Sequence, residues 1–462
     1  VGSTTGDNGS RAGPPARSGG FRRNTFLDNP RREPRESVSR PRPFPAAEGP
    51  AGLPQEQAQS CDQNLQIIRY NRIIYNMWID RLQELPLRSL VDSRPVVVVT
   101  GARQTGKTSL VRRLFGHYHY VSLDLPSEAE QAETAAKLFL ERHPAPVIID
   151  EIQYAPSLLR RIKMAVDADR GSNGRFILTG SQPFELMRGI TESLAGRSGL
   201  LHLEGLTWGE VEKSTRRLSP VNYLLRGGFP ELYEKPEMDA RSFYQAYVAT
   251  YLERDLRSQL KVGRLYDFER FLRACALRTS QVLNRAELAR DVGISPSTAG
   301  EWLSVLERSG LVALLEPWFS NATKSLVKSP KLHFLDTGLC GFLMGMTDRS
   351  DLLASPLGGA LWETAVFCEL RRLSGLCGGW QLYYWRDRTK EADFLLHKAG
   401  RFRLADAKWS EHPANAGSIG RVLKELPEGT AASIFCRTEA EFKLGGDVRV
   451  RSLEHVPDFL EG

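Results

Sequence analysis

Two groups of residues, far apart in the chain, have the types and spacing to do chemistry. The first is Gly101-Ala102-Arg103-Gln104-Thr105-Gly106-Lys107-Thr108, followed by Ser109. Its glycines let backbone N–H groups wrap phosphate oxygens, and the start of a following helix adds positive potential. Lys107 would then reach the β- and γ-phosphates of ATP, and Thr108 would ligate Mg2+. The complementary carboxylates are Asp150-Glu151, ending the apolar run in PVIIDEIQ. Asp150 is expected to orient magnesium through water, and Glu151 to polarise the attacking water, so that ATP is hydrolysed and not only bound. The second group lies in EADFLLHKAGRFRLADAKWS, residues 391–410. It reads as two strands joined at Ala399-Gly400, with Asp393 opening the first and Asp406 and Lys408 closing the second. Asp406 and Lys408 are two residues apart and share a strand face. Two carboxylates and an ammonium at strand ends are costly unless they hold something.

The elements that must position the first group are legible around it. PVVVVTG (95–101) is a β-branched strand ending in glycine, and TSLVRRLFG (108–116) has a helical pattern. YVSLDL, PVIIDE and GRFILTGS read as further buried strands separated by helical segments. This is the pattern of a parallel α/β sheet covered on both faces. Thr179 and Ser181 end one strand, where a hydroxyl senses a γ-phosphate, positions water, or is an ordinary strand-end group. Arg197, in SLAGRSGLLHLEGL, stands where an arginine can reach a neighbouring subunit's nucleotide, or where it is simply solvated. Arg254 and Arg257, in the helical stretch 241–260, are weaker candidates for nucleotide contact.

Residues 283–318, LNRAELARDVGISPSTAGEWLSVLERSGLVALLEPW, carry helix boundaries in order. Asn284 caps a first helix and Gly293 ends it. Ser295-Pro296 starts a second, and Gly310 ends that one before a strand. Ala289, Val292, Ile294, Ala299, Leu303 and Leu306 would share a core. This is a winged-helix arrangement, with 296–307 as the recognition helix. That helix offers Ser297, Thr298, Glu301 and Ser304 but little Lys or Arg, and Glu301 and Glu307 would repel phosphate. A structural or interdomain role therefore stands beside DNA binding. Lys324 and Lys328 could still touch a nucleic-acid backbone.

GARQTGKTSLVRRLF, LDLP, PVIIDEIQYAP, FILTGSQ, LAGR, GGFPEL and YLERDLR together resemble the bacterial and archaeal AAA-type ATPases that carry a C-terminal domain of the DUF4143 type. The resemblance covers nearly everything after Met77. It implies that Gly101 to Thr108, Asp150 and Glu151 form the nucleotide site, and that Arg197 is an arginine finger, hence a homo-oligomer. Glu363 on the predicted helix LGGALWETAVFCELRRL, then Asp393, then Asp406-x-Lys408, resembles the restriction-endonuclease-like nuclease core. That likeness implies Mg2+ or Mn2+ held by Glu363, Asp393 and Asp406. Lys408 would orient or deprotonate the attacking water and stabilise charge on a phosphate. Asp406 stands where that family commonly has Glu. Trp385-Arg386 would meet a nucleic-acid backbone nearby.

Length and composition frame these readings. At 462 residues the chain is expected to form about three domains of ~150 residues. It is 41% hydrophobic and 25% charged, with net charge +7, which weakly favours anionic partners such as DNA. No apolar run approaches the ~20 residues that span a bilayer, so no membrane partner is expected. Six cysteines without CxxC spacing fit a reducing cytoplasm. Residues 1–76, rich in Gly, Pro, Ser and Arg, are expected to be disordered, with Met77 near the natural start. The remaining expectation is an ATPase domain at 77–232, a helical connector at 233–282, a winged helix at 283–340 and a nuclease-like α/β domain at 341–462. The function expected is an Mg-ATP-hydrolysing ATPase coupled through the winged helix to a nuclease-like domain acting on, or gated by, nucleic acid. The alternative is a non-cleaving ATP-dependent switch whose C-terminal domains bind DNA or protein.

Overall fold

The computed structural model describes residues 78–181, 193–215, 218–251, 265–319, 329–445 and 447–461. Arg254, Arg257, Lys324 and Lys328 lie outside the described residues. Five strands build the first sheet: β1 (Val96–Thr100), β2 (His119–Ser122), β3 (Val147–Asp150), β4 (Phe176–Gly180) and β5 (Ser198–His202), in the order β2-β3-β4-β1-β5. All its pairings are parallel. β1, β3 and β4 are buried along their whole length, as expected for a parallel sheet covered on both faces. Val98, Ile149 and Leu178 pack on one side, and Val97, Val99 and Ile148 on the other, against α1 (Lys107–Leu114).

A three-stranded antiparallel sheet follows: β6 (Gln281–Val282), β7 (Val312–Leu315) and β8 (Lys331–Phe334), in the order β6-β8-β7. Between β6 and β7 lie α2 (Arg285–Val292) and α3 (Pro296–Arg308). The expected boundaries hold. Asn284 accepts from the Glu287 amide, Gly293 is left-handed at φ 83°, and Ser295 accepts from the Thr298 amide with Pro296 in the first turn. Ala289, Val292, Ala299, Leu303 and Leu306 are buried, and Ile294 packs partly against them.

The last unit opens with α4 (Gly358–Leu376). Its sheet comprises β9 (Gln381–Arg386), β10 (Glu391–Lys398), β11 (Arg401–Ala407), β12 (Ala431–Phe435), β13 (Phe442–Lys443) and β14 (Val448–Arg451). The order is β13-β14-β12-β11-β10-β9, with β9, β10 and β11 antiparallel and β11, β12 and β14 parallel. Ala399 (φ 48°) and Gly400 (φ 80°) both take positive φ, as the tight β10–β11 turn requires. β9 is the edge strand, and its exposed edge is covered by the segment after β7. The Trp318 amide donates to the Tyr384 carbonyl at 2.7 Å, and the Tyr384 amide donates to the Glu316 carbonyl at 3.0 Å.

One apolar cluster runs from Leu206 through Phe268, Trp302, Phe334, Trp362 and Phe394 to Leu460. The β6–β8 unit and the C-terminal unit therefore share a core. Among the described residues no helix is long and apolar enough to cross a membrane.

Candidate functional site

β1 delivers the chain into the phosphate-cradling loop, and the loop's backbone demands its glycines. A Cβ on Gly101 (φ 149°) would stand 2.1 Å from the Leu203 carbonyl oxygen, and Gly106 is left-handed at φ 89°. The loop is braced from below. The Thr105 hydroxyl donates to the Ala102 carbonyl at 3.0 Å. The Thr105 carbonyl accepts from Arg81 at 2.9 Å, and Arg81 also donates to the Glu204 carbonyl at 2.7 Å and pairs with Glu210. Lys107, buried, turns its ammonium onto the Gly101 and Ala102 carbonyls at 3.1 and 2.8 Å. Arg103 is half-buried, whereas Gln104 and Ser109 face solvent.

At the C-terminal end of β3, Asp150 gathers three hydroxyls. Thr108 donates at 3.1 and 2.9 Å to its two oxygens, Tyr120 donates at 2.9 Å, and Thr179 bonds to Oδ1. Burial, with Asp150 beside it, pushes the Tyr120 phenol up to about 12, so it stays a donor. Thr108 and Asp150 form a hard-oxygen pair, the donor set that Mg2+ takes when phosphates supply further ligands. Those residues fit the ion. Glu151 follows in a left-handed conformation, φ 56°, which a non-glycine residue adopts at a cost. Its carboxylate accepts from Gln153 at 2.5 Å and from Ser181 at 3.3 Å. The loop, Thr108, Asp150, Glu151, Thr179 and Ser181 thus come together.

Arg197 points elsewhere. Its guanidinium takes Asp167 of the same chain in a forked pair at 2.8 and 3.1 Å, and donates to Ala195. That pairing holds the Asp167 carboxyl below the usual range. Within the chain, a carboxylate on a neighbouring helix satisfies the arginine locally.

In the C-terminal unit the register Phe394↔Ala405 sets Asp393 and Asp406 opposite one another. The Asp393 amide donates to Asp406 at 3.0 Å, and the Ala407 amide donates to Asp393 at 2.9 Å. Lys408 lies 3.6 Å from Asp393 and 3.3 Å from Asp406. The β9–β10 pairing slips between Ala392 and Leu395, a bulge that re-aims Asp393. Glu363 does not join Asp393 around an open position. Lys331 lies between them, 3.0 Å from Glu363 and 3.5 Å from Asp393. Burial, then Asp393, pushes Glu363 up to about 8 against the pull of Lys331, and burial raises Asp406 to about 6. Among the described residues, no three His, Cys, Asp or Glu side chains are arranged to hold a metal ion. The expected Mg2+ or Mn2+ set of Glu363, Asp393 and Asp406 therefore does not fit a metal in this conformation, because an ammonium already neutralises it. Trp385 is half-buried and Arg386 exposed, 3.7 Å from Glu391.

Comparison with known proteins matches this architecture. A family model described as "AAA domain" matches residues 93–212, and one described as "Domain of unknown function (DUF4143)" matches 358–455. A third, "Domain of unknown function (DUF8612)", matches 219–350. Uncharacterized protein Rv2008c of Mycobacterium tuberculosis is 33% identical over 353 residues, spanning 76% of this chain and 78% of the relative. Uncharacterized protein Mb2031c of Mycobacterium bovis matches to the same extent. The chain belongs to this family of AAA-type ATPases with a DUF4143 domain. Among solved structures, the Walker-type ATPase PABY2304 of Pyrococcus abyssi is similar at 16% identity and TM-score 0.41, over 58% of this chain and 96% of that one. The RuvB Holliday junction branch migration motor of Thermotoga maritima is similar at 17% identity and TM-score 0.28, over 51% and 89%.

Several residues of this AAA-type protein escape a motif-based reading. Gln153 and Tyr120 hold the two β3 carboxylates, and only their places beside the motif hint at it. Arg81 lies 24 residues before the loop carbonyl it braces. Lys331 stands in KLHF, a strand buried at every position. A cation in such a strand needs partners, and that was the available signal. Arg372, on α4, is buried and joins three regions. It donates at 2.8 Å to the carbonyls of Leu206 and of Leu335, and lies 3.5 Å from Glu369 and 3.7 Å from Glu204.

Proposed function

We propose that this protein is an Mg-ATP-hydrolysing switch in which nucleotide state sets the packing of a winged helix and a nuclease-like C-terminal domain, without strand cleavage by that domain. The observation that carries the coupling is the seat of the phosphate loop. A Cβ built on Gly310, at the end of α3, would lie 3.6 Å from the Ala102 side chain and amide. Ala102 and Thr105 line one small cavity together with Gly310, Leu311, Leu335 and Asp336. A loop that tightens on phosphates pulls directly on the unit behind it.

In the cycle we assign, Lys107 leaves the Gly101 and Ala102 carbonyls for the β- and γ-phosphates of ATP. Thr108 and Asp150 would hold Mg2+, which would supply charge neutralisation on the phosphate oxygens. Glu151, released from Gln153 and Ser181, orients and polarises water for in-line attack. Ser181 then reports on the γ-phosphate. Each step uses one chain's own groups.

The winged-helix assignment rests on the order of helices and strands between residues 265 and 334. Its recognition helix exposes Ser297, Glu301, Ser304 and Glu307, with Arg308 in the last turn, so two carboxylates outweigh one cation on the face that would meet phosphate. Its hairpin is spent on the C-terminal sheet. Both features favour an interdomain role over DNA binding, and the same geometry favours the non-cleaving reading of the C-terminal domain. Lys107→Ala should eliminate ATP turnover. ATP should slow amide exchange around 310–315 and 331–336 in the parent protein but not in that variant. Exchange unaffected by ATP in both would refute the coupling. DNA incubated with the protein, ATP and Mn2+ should stay intact; nicking that Lys408→Ala abolishes would restore the nuclease reading.

A further inference from the structure

The C-terminal acidic centre contains a cation that its motif does not include. Lys331, the first residue of β8, comes from the winged-helix sheet and not from the nuclease-like fold. Its side chain is 3% exposed, and its ammonium lies 3.0 Å from Glu363, 3.1 Å from Glu391 and 3.5 Å from Asp393. It also lies 5.6 Å from the centre of the Tyr384 ring. Lys408 takes the other side of Asp393, so one oxygen of that carboxylate faces each ammonium.

The placement is enforced by backbone contacts. The connection that leaves β7 is fastened to the edge of the C-terminal sheet through Glu316 and Trp318, both bonded to the Tyr384 backbone. The Tyr384 hydroxyl donates at 2.7 Å to the Ser329 carbonyl, two residues before Lys331. The Trp318 ring lies against Tyr383, His397 and Phe402. The bulge at Asp393-Phe394 faces Tyr384, the residue whose backbone takes the hairpin segment. Hairpin attachment, bulge and ammonium therefore form one joint. A divalent ion bound by Glu363 and Asp393 would stand beside a buried ammonium that shares its ligands, and like charges in such a site repel strongly.

We propose that Lys331 is the resident cation of this centre: its ammonium takes the place of a divalent metal and latches the β7–β8 hairpin onto the C-terminal domain, which serves as a docking module. This deepens the switch reading and rests on its non-cleaving assignment.

The test is Mn2+ binding by the nucleotide-free full chain, followed by electron paramagnetic resonance, with Asp150→Asn in every protein to remove the ATPase centre. With Lys331 present, the protein should show no Mn2+ site that Glu363→Gln removes. Lys331→Met should gain a site at least tenfold tighter, and adding Glu363→Gln should abolish it. A Glu363-dependent site in the protein that retains Lys331 would overturn the proposal, as would a folded Lys331→Met variant that gains none. Should Lys331→Met fold poorly, a double-mutant cycle in urea still decides. The drop in midpoint caused by Lys331→Met should shrink in the Glu363→Gln background, because one orphaned carboxylate is gone. Equal drops in both backgrounds would overturn the latch. ATP turnover of the parent protein, measured alongside, bears only on the switch reading.

Discussion

Arg372→Met is the most informative break in the joint between the ATPase domain and the rest of the chain. The Arg372 side chain is buried, with carbonyls of Leu206 and Leu335 in its fork and Glu369 and Glu204 within 4 Å. Methionine fills most of the volume but leaves Glu369 and the Leu335 carbonyl without their cation, while Glu204 keeps Arg371 at 2.9 Å and the Leu206 carbonyl keeps the Tyr223 hydroxyl at 3.1 Å. Breaking a buried pair by removing one partner costs ~3–5 kcal/mol. Each lost hydrogen bond from a charged donor is worth ~1.5–3 kcal/mol, and these figures overlap. We expect a loss of about 4 kcal/mol at pH 8, a large share of the ~5–15 kcal/mol that holds a typical domain. The loss should depend on pH with a definite sign. Burial raises Glu369 to about 6 even with Arg372 opposing, and without the arginine it rises further. The folded variant then binds a proton that the unfolded chain, titrating near 4.3, does not, so its stability falls as pH rises through that window. The deficit should be smaller at pH 6 than at pH 8, by at most ~1.4 kcal/mol per pH unit. Urea unfolding of parent and variant at both pH values measures it. Arg372→Lys should fall between them, since an ammonium cannot fork across two carbonyls. A deficit below ~1 kcal/mol at pH 8, or one equal at both pH values, would refute this account of the joint.

Two further outcomes follow from single contacts. Ser181→Ala removes the hydroxyl that passes from Glu151 to the γ-phosphate, a contact worth ~1 kcal/mol, so kcat/KM for ATP should fall about fivefold; an unchanged kcat/KM would exclude that contact. His333, buried and stacked 4.2 Å from Phe367, has its pKa driven well below the ordinary value by burial and then by Lys331. Its neutral form stabilises the fold fully above pH ~6.5, and that contribution is lost as pH falls, at up to ~1.4 kcal/mol per unit. His333→Phe should flatten the urea midpoint between pH 6.5 and 5, and an unchanged slope would exclude His333 as its source.

The sequence revealed what is local. The loop 101–108, the β3 carboxylates, the caps of α2 and α3 and the Ala399-Gly400 turn all announce themselves within a few residues, because each is set by backbone sterics or one short hydrogen bond. Asp393, Asp406 and Lys408 were also legible, since strand alternation and a tight turn bring them together. The joints were not. Lys331 meets Glu363 across 32 residues, and Arg372 meets Leu206 across 166. Partners so distant leave no periodic trace. The expectation of Glu363 as a metal ligand rests on the order Glu-Asp-Asp-x-Lys, and nothing in that order discloses that another unit inserts an ammonium. Arg197 illustrates the same gap, because its partner Asp167 lies on a helix 30 residues earlier.

In the proposed cycle Glu151, the residue after β3, activates water for attack on ATP held by the 101–108 loop. Phosphate release from Mg-ATP by the parent protein and by Glu151→Gln, with ATP affinity measured in parallel, tests it most directly. The variant should bind ATP as the parent does while turnover falls ~100-fold or more, on the scale of losing a positioned general base. Turnover at the parent rate in Glu151→Gln would contradict it.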